Sequence, residues 1–316
     1  MLPDALGPGP SGSWDDLATW TGSVICHDGR WYMLYTGISR AERGLIQRIG
    51  LALSDDLVTW RKHPGNPVLE ADGRWYELLD LEKWRDQSWR DPWLFRDPGD
   101  GAFHVLITAR AAAGASDGRG VIGHARSGDL VRWEVLPPIT VPGDFAQVEV
   151  PQLVQLGDRW HILFSALAED HSAQRRSRLG PGQCGTFTYS SSGTPAGPYQ
   201  ASTAPVAASD GPLGTLYAGK LVEATSGEWR FLAFCISKDG AFVGELTDPL
   251  PVGQDRNGSI HIATGYNDVL PPGKSRASIA TVAGSGDRGQ RLVRGQHGAE
   301  QVASLGDPRG EVPDGE

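Results

Sequence analysis

Cysteine is scarce: the chain of 316 residues holds three, Cys26, Cys184 and Cys235, odd in number and far apart. That pattern excludes a disulfide framework and gives no paired metal-ligand spacing, so a reducing, cytoplasmic setting is expected. Basic residues are outnumbered by acidic ones, 29 to 38, for a formal net charge of -9. Such a deficit is a poor match to nucleic acid or to an anionic membrane surface, and neither is expected as a partner. No apolar run approaches the roughly 18 residues of a membrane span, and the N-terminal residues lack a basic-then-apolar signal pattern. The eight histidines are scattered, with no HExxH and no Cys/His cluster, so neither a metal nor a cofactor is expected. Long amphipathic helical patterns are missing too; Leu78 to Lys83 alone reads as a short helix or turn.

What is present is turn-forming and flat. The chain carries 42 Gly, 22 Pro and 11 Trp, a composition that fits an all-β protein stacking rings on a ligand such as a sugar. It is long enough to bury a substantial core. Four segments share a turn, an aromatic residue and an apolar strand: DGRWYMLYTG at Trp31, DGAFHVLITAR at Phe103, GDRWHILFSA at Trp160 and SGEWRFLAFC at Trp229, spaced by 72, 57 and 69 residues. Near-continuous apolarity predicts strands covered on both faces. Each is followed by a second strand starting at Ile49, Gly120, Gly185 or Gly240. The first two of these run on into Asp56-Leu57-Val58-Thr59-Trp60 and Asp129-Leu130-Val131-Arg132-Trp133, a turn leading to an outer strand with a buried Trp. Each is also preceded by a short strand on which Trp20, Asp91, Glu149 and Tyr217 lie 11 or 12 residues before the aromatic. A four-stranded unit repeated at this period is the signature of a β-propeller blade, whose first strand lines a central funnel. The four matched positions are therefore expected to converge. A propeller domain is expected over 1–270. From about Pro271 the tail over 271–316, rich in Gly, Arg and Ser, has too few large apolar residues to fold alone and is expected to be disordered.

Two carboxylates in one funnel are what glycoside hydrolysis needs. Glu149 sits in the apolar run Val148-Glu149-Val150-Pro151, which predicts a raised pKa and a proton to donate. Asp91, between Arg90 and Pro92, is expected to stay anionic and to stabilise positive charge or hold hydroxyls. Taken singly, each has a plainer reading, a turn Asp at a strand entrance and a rim Glu paired with an Arg; the shared spacing favours the functional one. Gly118 to Gly123 fits GxGxxG, but it runs into a strand with no crossover helix, so a hairpin is expected there.

Trp20-Thr21-Gly22-Ser23, Trp89-Arg90-Asp91-Pro92, Glu149-Val150-Pro151 and Tyr217-Ala218-Gly219-Lys220 occur in an order that resembles glycoside hydrolase family 32, the β-fructofuranosidases, levanases and inulinases. The resemblance covers roughly residues 13 to 262. It implies an all-β, five-bladed β-propeller type of fold, of which four blades are recognisable here with an incomplete first blade. It also implies a retaining hydrolase acting on β-fructofuranosyl linkages of sucrose, levan or inulin type. On that pattern Asp91 matches the transition-state stabiliser and Glu149 the general acid/base, although the family usually has Cys where Val150 stands. Trp20, Ser23 and Arg90, with Tyr217 and Lys220, match substrate-binding positions. The family's nucleophile, an Asp in an Asn-Asp-Pro type motif, has no counterpart before Trp20; Asp4, Asp15 and Asp16 fall on a linker. A first blade is thus expected to be absent, and the chain as given is expected to be poorly active and to self-associate through open sheet edges. Two other readings stay open: an arabinan- or xylan-directed hydrolase of the family 43 type, and a sugar-binding propeller without catalysis. The preferred fructoside and the oligomeric state are left open as well.

Overall fold

The computed structural model describes residues 4–191, 193–208, 216–238 and 241–262, with the side chains at 236–243 left aside. The expected disordered tail over 271–316 lies outside these residues. The described chain is nearly all sheet, in four antiparallel units that form a four-blade propeller arrangement. The first blade is β1 (Ala18–His27), β2 (Arg30–Ile38), β3 (Arg48–Ser54) and β4 (Arg61–Lys62). The second is β5 (Trp89–Arg96), β6 (Phe103–Arg110), β7 (Gly120–Ser127) and β8 (Glu134–Leu136). The third is β9 (Glu149–Leu156), β10 (Arg159–Ala166), β11 (Gly185–Ser191), β12 (Gln200–Ala201) and β13 (Ala207–Ala208), and the fourth β14 (Tyr217–Glu223), β15 (Trp229–Lys238), β16 (Ala241–Leu246), β17 (Leu250–Gln254) and β18 (Ile260–Ile262).

The second strands are largely apolar because they feed two cores at once. Along β6, Val105, Ile107 and Ala109 face the core shared with Leu34, Ile49 and Leu51 of the first blade. Leu106 between them joins Ile162, Phe164 and Phe187 of the third blade. The same alternation on β10 sends Leu163 to a third core with Leu221 and Phe231. Three inter-blade cores thus hold four blades face to face, each side of a central strand burying a different set.

The Asp-Leu-Val-x-Trp runs form one turn used twice. Asp56 Oδ1 accepts the Val58 and Thr59 amides at 2.8 and 2.6 Å, and Asp129 Oδ1 those of Val131 and Arg132 at 3.0 and 2.8 Å. The Trp60 and Trp133 indoles donate back to Leu57 and Leu130 at 3.2 and 3.1 Å. Both indoles are half-buried, short of the full burial the sequence suggests, because β4 and β8 are outer strands. Leu78 to Lys83 is a turn, closed by the Lys83 and Trp84 amides on the Asp80 carbonyl. The one α-helix among the described residues, α1 (Ala173–Leu179), has no strong sequence signal; Ser172 caps it by accepting the Arg175 amide at 3.0 Å. No helix among the described residues is long and apolar enough to cross a membrane.

Candidate active site

Each inner strand carries a β-bulge, at the same level on the second, third and fourth blades and one residue earlier on the first. The pairing shifts between Thr19 and Gly22 on β1, Arg90 and Trp93 on β5, Glu149 and Gln152 on β9, and Tyr217 and Lys220 on β14. Asp91, Val150 and Ala218 occupy the same bulge position, at φ of 58, 49 and 55°. Bulges of this kind re-aim side chains and cluster beside functional sites. They also correct the register read from the sequence. Arg90, Glu149 and Tyr217 share one tier, opposite Thr108, Ser165 and Phe234, and Asp91 lies one residue further along, while on β1 the shift begins one residue earlier, with Thr19 opposite Gly37. Counting back from the aromatic fails because the hairpin connections differ in length, from Asp28-Gly29 to the six residues between Arg96 and Phe103.

That corrected tier is a hydrogen-bonded ring segment across three blades. Arg90 Nη2 donates to Glu149 Oε1 at 2.6 Å, and the Tyr217 hydroxyl donates to Glu149 Oε2 at 2.6 Å. Arg90 is buried, and its Nη1 donates at 3.0 Å to Gln47 Oε1, which also accepts the Trp89 amide. Gln147 Nε2 adds a third donor to Glu149 at 3.0 Å and is itself held by Arg85 at 2.6 Å. Burial pushes the Glu149 carboxyl up, but the Arg90 charge, the Tyr217 hydroxyl and the Arg90 hydrogen bond outweigh it and hold the group below its ordinary value. The raised pKa expected from the apolar strand is thereby overturned: the donors arrive from other blades, out of reach of a local reading. Burial and the Glu149 charge push the Tyr217 hydroxyl well above its usual range.

Asp91 is buried beside this ring, and its carboxylate accepts three donors. These are the Thr21 hydroxyl, the Thr108 hydroxyl at 2.9 Å and the Val150 amide at 3.1 Å, with Arg90 Nε 3.6 Å away. Trp20 presents its indole to solvent, 42% exposed. Ser23 accepts the Leu94 amide at 2.8 Å, a clasp between blades, so it is Thr21 that reaches the carboxylate. The Lys220 ammonium does not enter the ring; it donates to the Val150 and Pro151 carbonyls at 2.7 and 2.9 Å and lies 5.2 Å from the centre of the Trp93 ring. Burial lowers its pKa to about 8 against the opposing pull of Asp91.

Further along the same inner strands a cavity of about 660 Å³ is lined by Trp93, Phe95, Trp160, Trp229 and Lys220. The linker acids are committed elsewhere. Asp15 accepts the Tyr35 hydroxyl at 3.0 Å and Lys62 at 2.5 Å, and Asp16 accepts the Gly12 and Arg40 amides. Asp4 shares a cavity of about 420 Å³ with Trp20. Asp170, which the sequence reading did not single out, is buried near Glu149; burial lifts its carboxyl to about 6, with Arg85 opposing and Glu149 adding to the rise. Asp97, Asp100 and His104 bring metal-ligand atoms within 4.8 Å of one another at the β5–β6 turn. Arg126 already pairs with Asp100 at 3.0 Å, and His104 with His124 at 2.8 Å, so these groups have protein partners.

The fold is shared with sugar-active enzymes. An inulosucrase from Halalkalicoccus jeotgali superposes with a TM-score of 0.59 at 21% identity, over 77% of this chain and 69% of that one. A GH32 beta-fructofuranosidase of Bombyx mori gives 0.57 at 20% identity, over 84% of this chain and 53% of its own, so the chain spans about half the length of that relative. An exo-1,5-alpha-L-arabinanase from a bovine ruminal metagenomic library gives 0.51 at 17% identity, over 78% of each chain. No curated protein matches the sequence. The family model for the N-terminal domain of glycosyl hydrolases family 32 matches residues 4–192, the first two blades and β9 to β11 of the third, with Arg90, Asp91 and Glu149 inside the match. The chain belongs to glycosyl hydrolase family 32.

Proposed function

We propose that the chain binds a terminal or internal β-fructofuranosyl unit at the Arg90–Glu149–Tyr217 ring and that Glu149 serves as acid/base on the glycosidic oxygen. The observation that carries this reading is the ring itself, a glutamate gripped at both oxygens by residues from two neighbouring blades. A carboxylate held this way is fixed in direction, and a sugar hydroxyl or leaving oxygen that displaces Arg90 or Tyr217 would raise its proton affinity as the site closes. Asp91 suits a different task. A carboxylate accepts about four hydrogen bonds, and three donors already spread its charge, so it holds a hydroxyl or faces a developing oxocarbenium ion better than it attacks carbon. Trp20, next in the chain to Thr21, is exposed in the cavity it shares with Asp4 and offers a flat face on which a sugar ring can stack there.

Among the described residues, Glu149 is the one carboxylate in this ring, with Asp91 beside it and Asp170 nearby. The arabinanase likeness keeps one rival in view: the same funnel accepting an arabinan. Incubation with sucrose, inulin, levan and arabinan, with the released sugar identified by NMR, separates them. Fructose release that Glu149→Gln abolishes is the expected result. Arabinose release, or fructose release indifferent to Glu149→Gln, contradicts the proposal.

A further inference from the structure

Among the described residues, Val150 is the one β-branched residue with a positive φ, at 49°. Two carbon branches at Cβ make that left-handed conformation strained, and strain of this kind persists where surrounding contacts over-determine it. The amides of the two equivalent bulge residues each meet a neutral hydroxyl. The Asp91 amide donates to Thr36 Oγ1 at 3.0 Å and the Ala218 amide to Ser165 Oγ at 3.0 Å, each a hydroxyl on the second strand of the preceding blade. At Val150 the corresponding hydroxyl, Thr108, is turned to Asp91, and the Asp91 carboxylate takes the Val150 amide in its place. On the other side of the same residue, Lys220 grips the carbonyls of Val150 and Pro151. Val150 is therefore held between an anion from the second blade and a cation from the fourth.

We propose that Lys220 is a positioning residue: its ammonium pins the β9 bulge in the left-handed conformation that aims the Val150 amide at Asp91 and sets Glu149 between Arg90 and Tyr217. Relaxation of φ at Val150 swings the Glu149–Val150 peptide, withdrawing a donor from one carboxylate and turning the other out of its ring. The consequence for chemistry rests on the fructoside reading above; the clamp itself does not.

The test uses the full chain and needs no turnover. Amide hydrogen exchange at Val150 and the ¹³C titration of the Glu149 carboxyl are followed in Lys220→Met and Lys220→Arg. Losing a hydrogen bond to a charged group predicts roughly tenfold or faster exchange at Val150 in Lys220→Met, a shifted Glu149 midpoint, and recovery of most of both in Lys220→Arg. Glycine adopts positive φ freely, so in a Val150→Gly background the Lys220→Met effect on stability and on the Glu149 midpoint shrinks to less than roughly a third of its size. Exchange at Val150 unchanged by Lys220→Met overturns the proposal, as does an undiminished effect in the glycine background. If Lys220→Met fails to fold, folding of the double variant supports the clamp, and failure of both assigns Lys220 to general packing and overturns it. Fructo-oligosaccharide binding measured alongside keeps the two claims apart: a parent protein that binds none, yet shows the Lys220 effect, defeats the functional reading and leaves the clamp standing.

Discussion

Asp91 and Glu149 lie one bulge position apart on neighbouring blades, yet their surroundings separate their roles. Glu149 meets two charged or acidic donors, Arg90 and Tyr217, both side chains from other blades. Asp91 meets Thr21, Thr108 and a backbone amide, groups that stay where the fold puts them. Arg90→Met is the sharpest probe of the first environment, because methionine keeps an unbranched apolar stem but removes both the charge and the fork that reaches Gln47 and Glu149 together. With the guanidinium gone, burial is less opposed and the Glu149 midpoint moves up; an unmoved midpoint in a ¹³C titration contradicts the electrostatic account. Thr21→Val probes the second. It keeps the shape but removes a donor from Asp91, and fructo-oligosaccharide affinity measured by calorimetry is expected to fall roughly tenfold.

At the scale of elements, the recurring device is the bulged inner strand, and it also sets what a reader of the sequence could see. The blades are legible because β6 and β10 must be largely apolar to feed two cores, and because the Asp56 and Asp129 turns repeat as Asp-Leu-Val-x-Trp. Arg90, Asp91, Glu149 and Tyr217 are legible as residues of one funnel. Their one-residue register is not, since the left-handed bulge position is filled by Asp91, Val150 and Ala218 and so lacks the glycine that usually marks it. Thr21, Thr108 and Gln147, which donate to the carboxylates, and Gln47 and Arg85, which hold Arg90 and Gln147, are not legible for a related reason: each acts across a blade boundary or from a loop, with no local pattern to announce it. Gly219, by contrast, follows the bulge where a Cβ would run into the Phe231 ring and Thr186 Oγ1. Gly219→Ala is expected to cost about 1–3 kcal/mol in urea unfolding, the usual range for overpacking; a neutral result means the third and fourth blades pack more loosely than described.

For the whole molecule, acid sensitivity should begin well above the range of the carboxylates. Burial lowers His124, helped by His104, and lowers His161, helped by Arg159, each to about 4 against an ordinary 6.5. A histidine whose folded pKa is depressed refuses protons that the unfolded chain accepts. Its contribution is therefore complete above 6.5 and is lost as pH falls from 6.5 toward 4, before hydrogen-bonded carboxylates such as Asp56 and Asp129, near 2, are titrated. Melting temperature is expected to decline through that window, with a shallower decline in His161→Gln; identical slopes contradict it.

The central claim, that three blades assemble a fructosyl site around Glu149, is tested most directly by titrating the protein with a short inulin-type oligosaccharide and, in parallel, an arabino-oligosaccharide. Intrinsic tryptophan fluorescence and the Glu149 ¹³C carboxyl signal are read together. The account predicts saturable binding of the fructoside alone, an upward shift of the Glu149 midpoint in the complex, and loss of both on Tyr217→Phe combined with Arg90→Met. Binding of the arabinoside instead, or fructoside binding that leaves the Glu149 signal untouched, would contradict it.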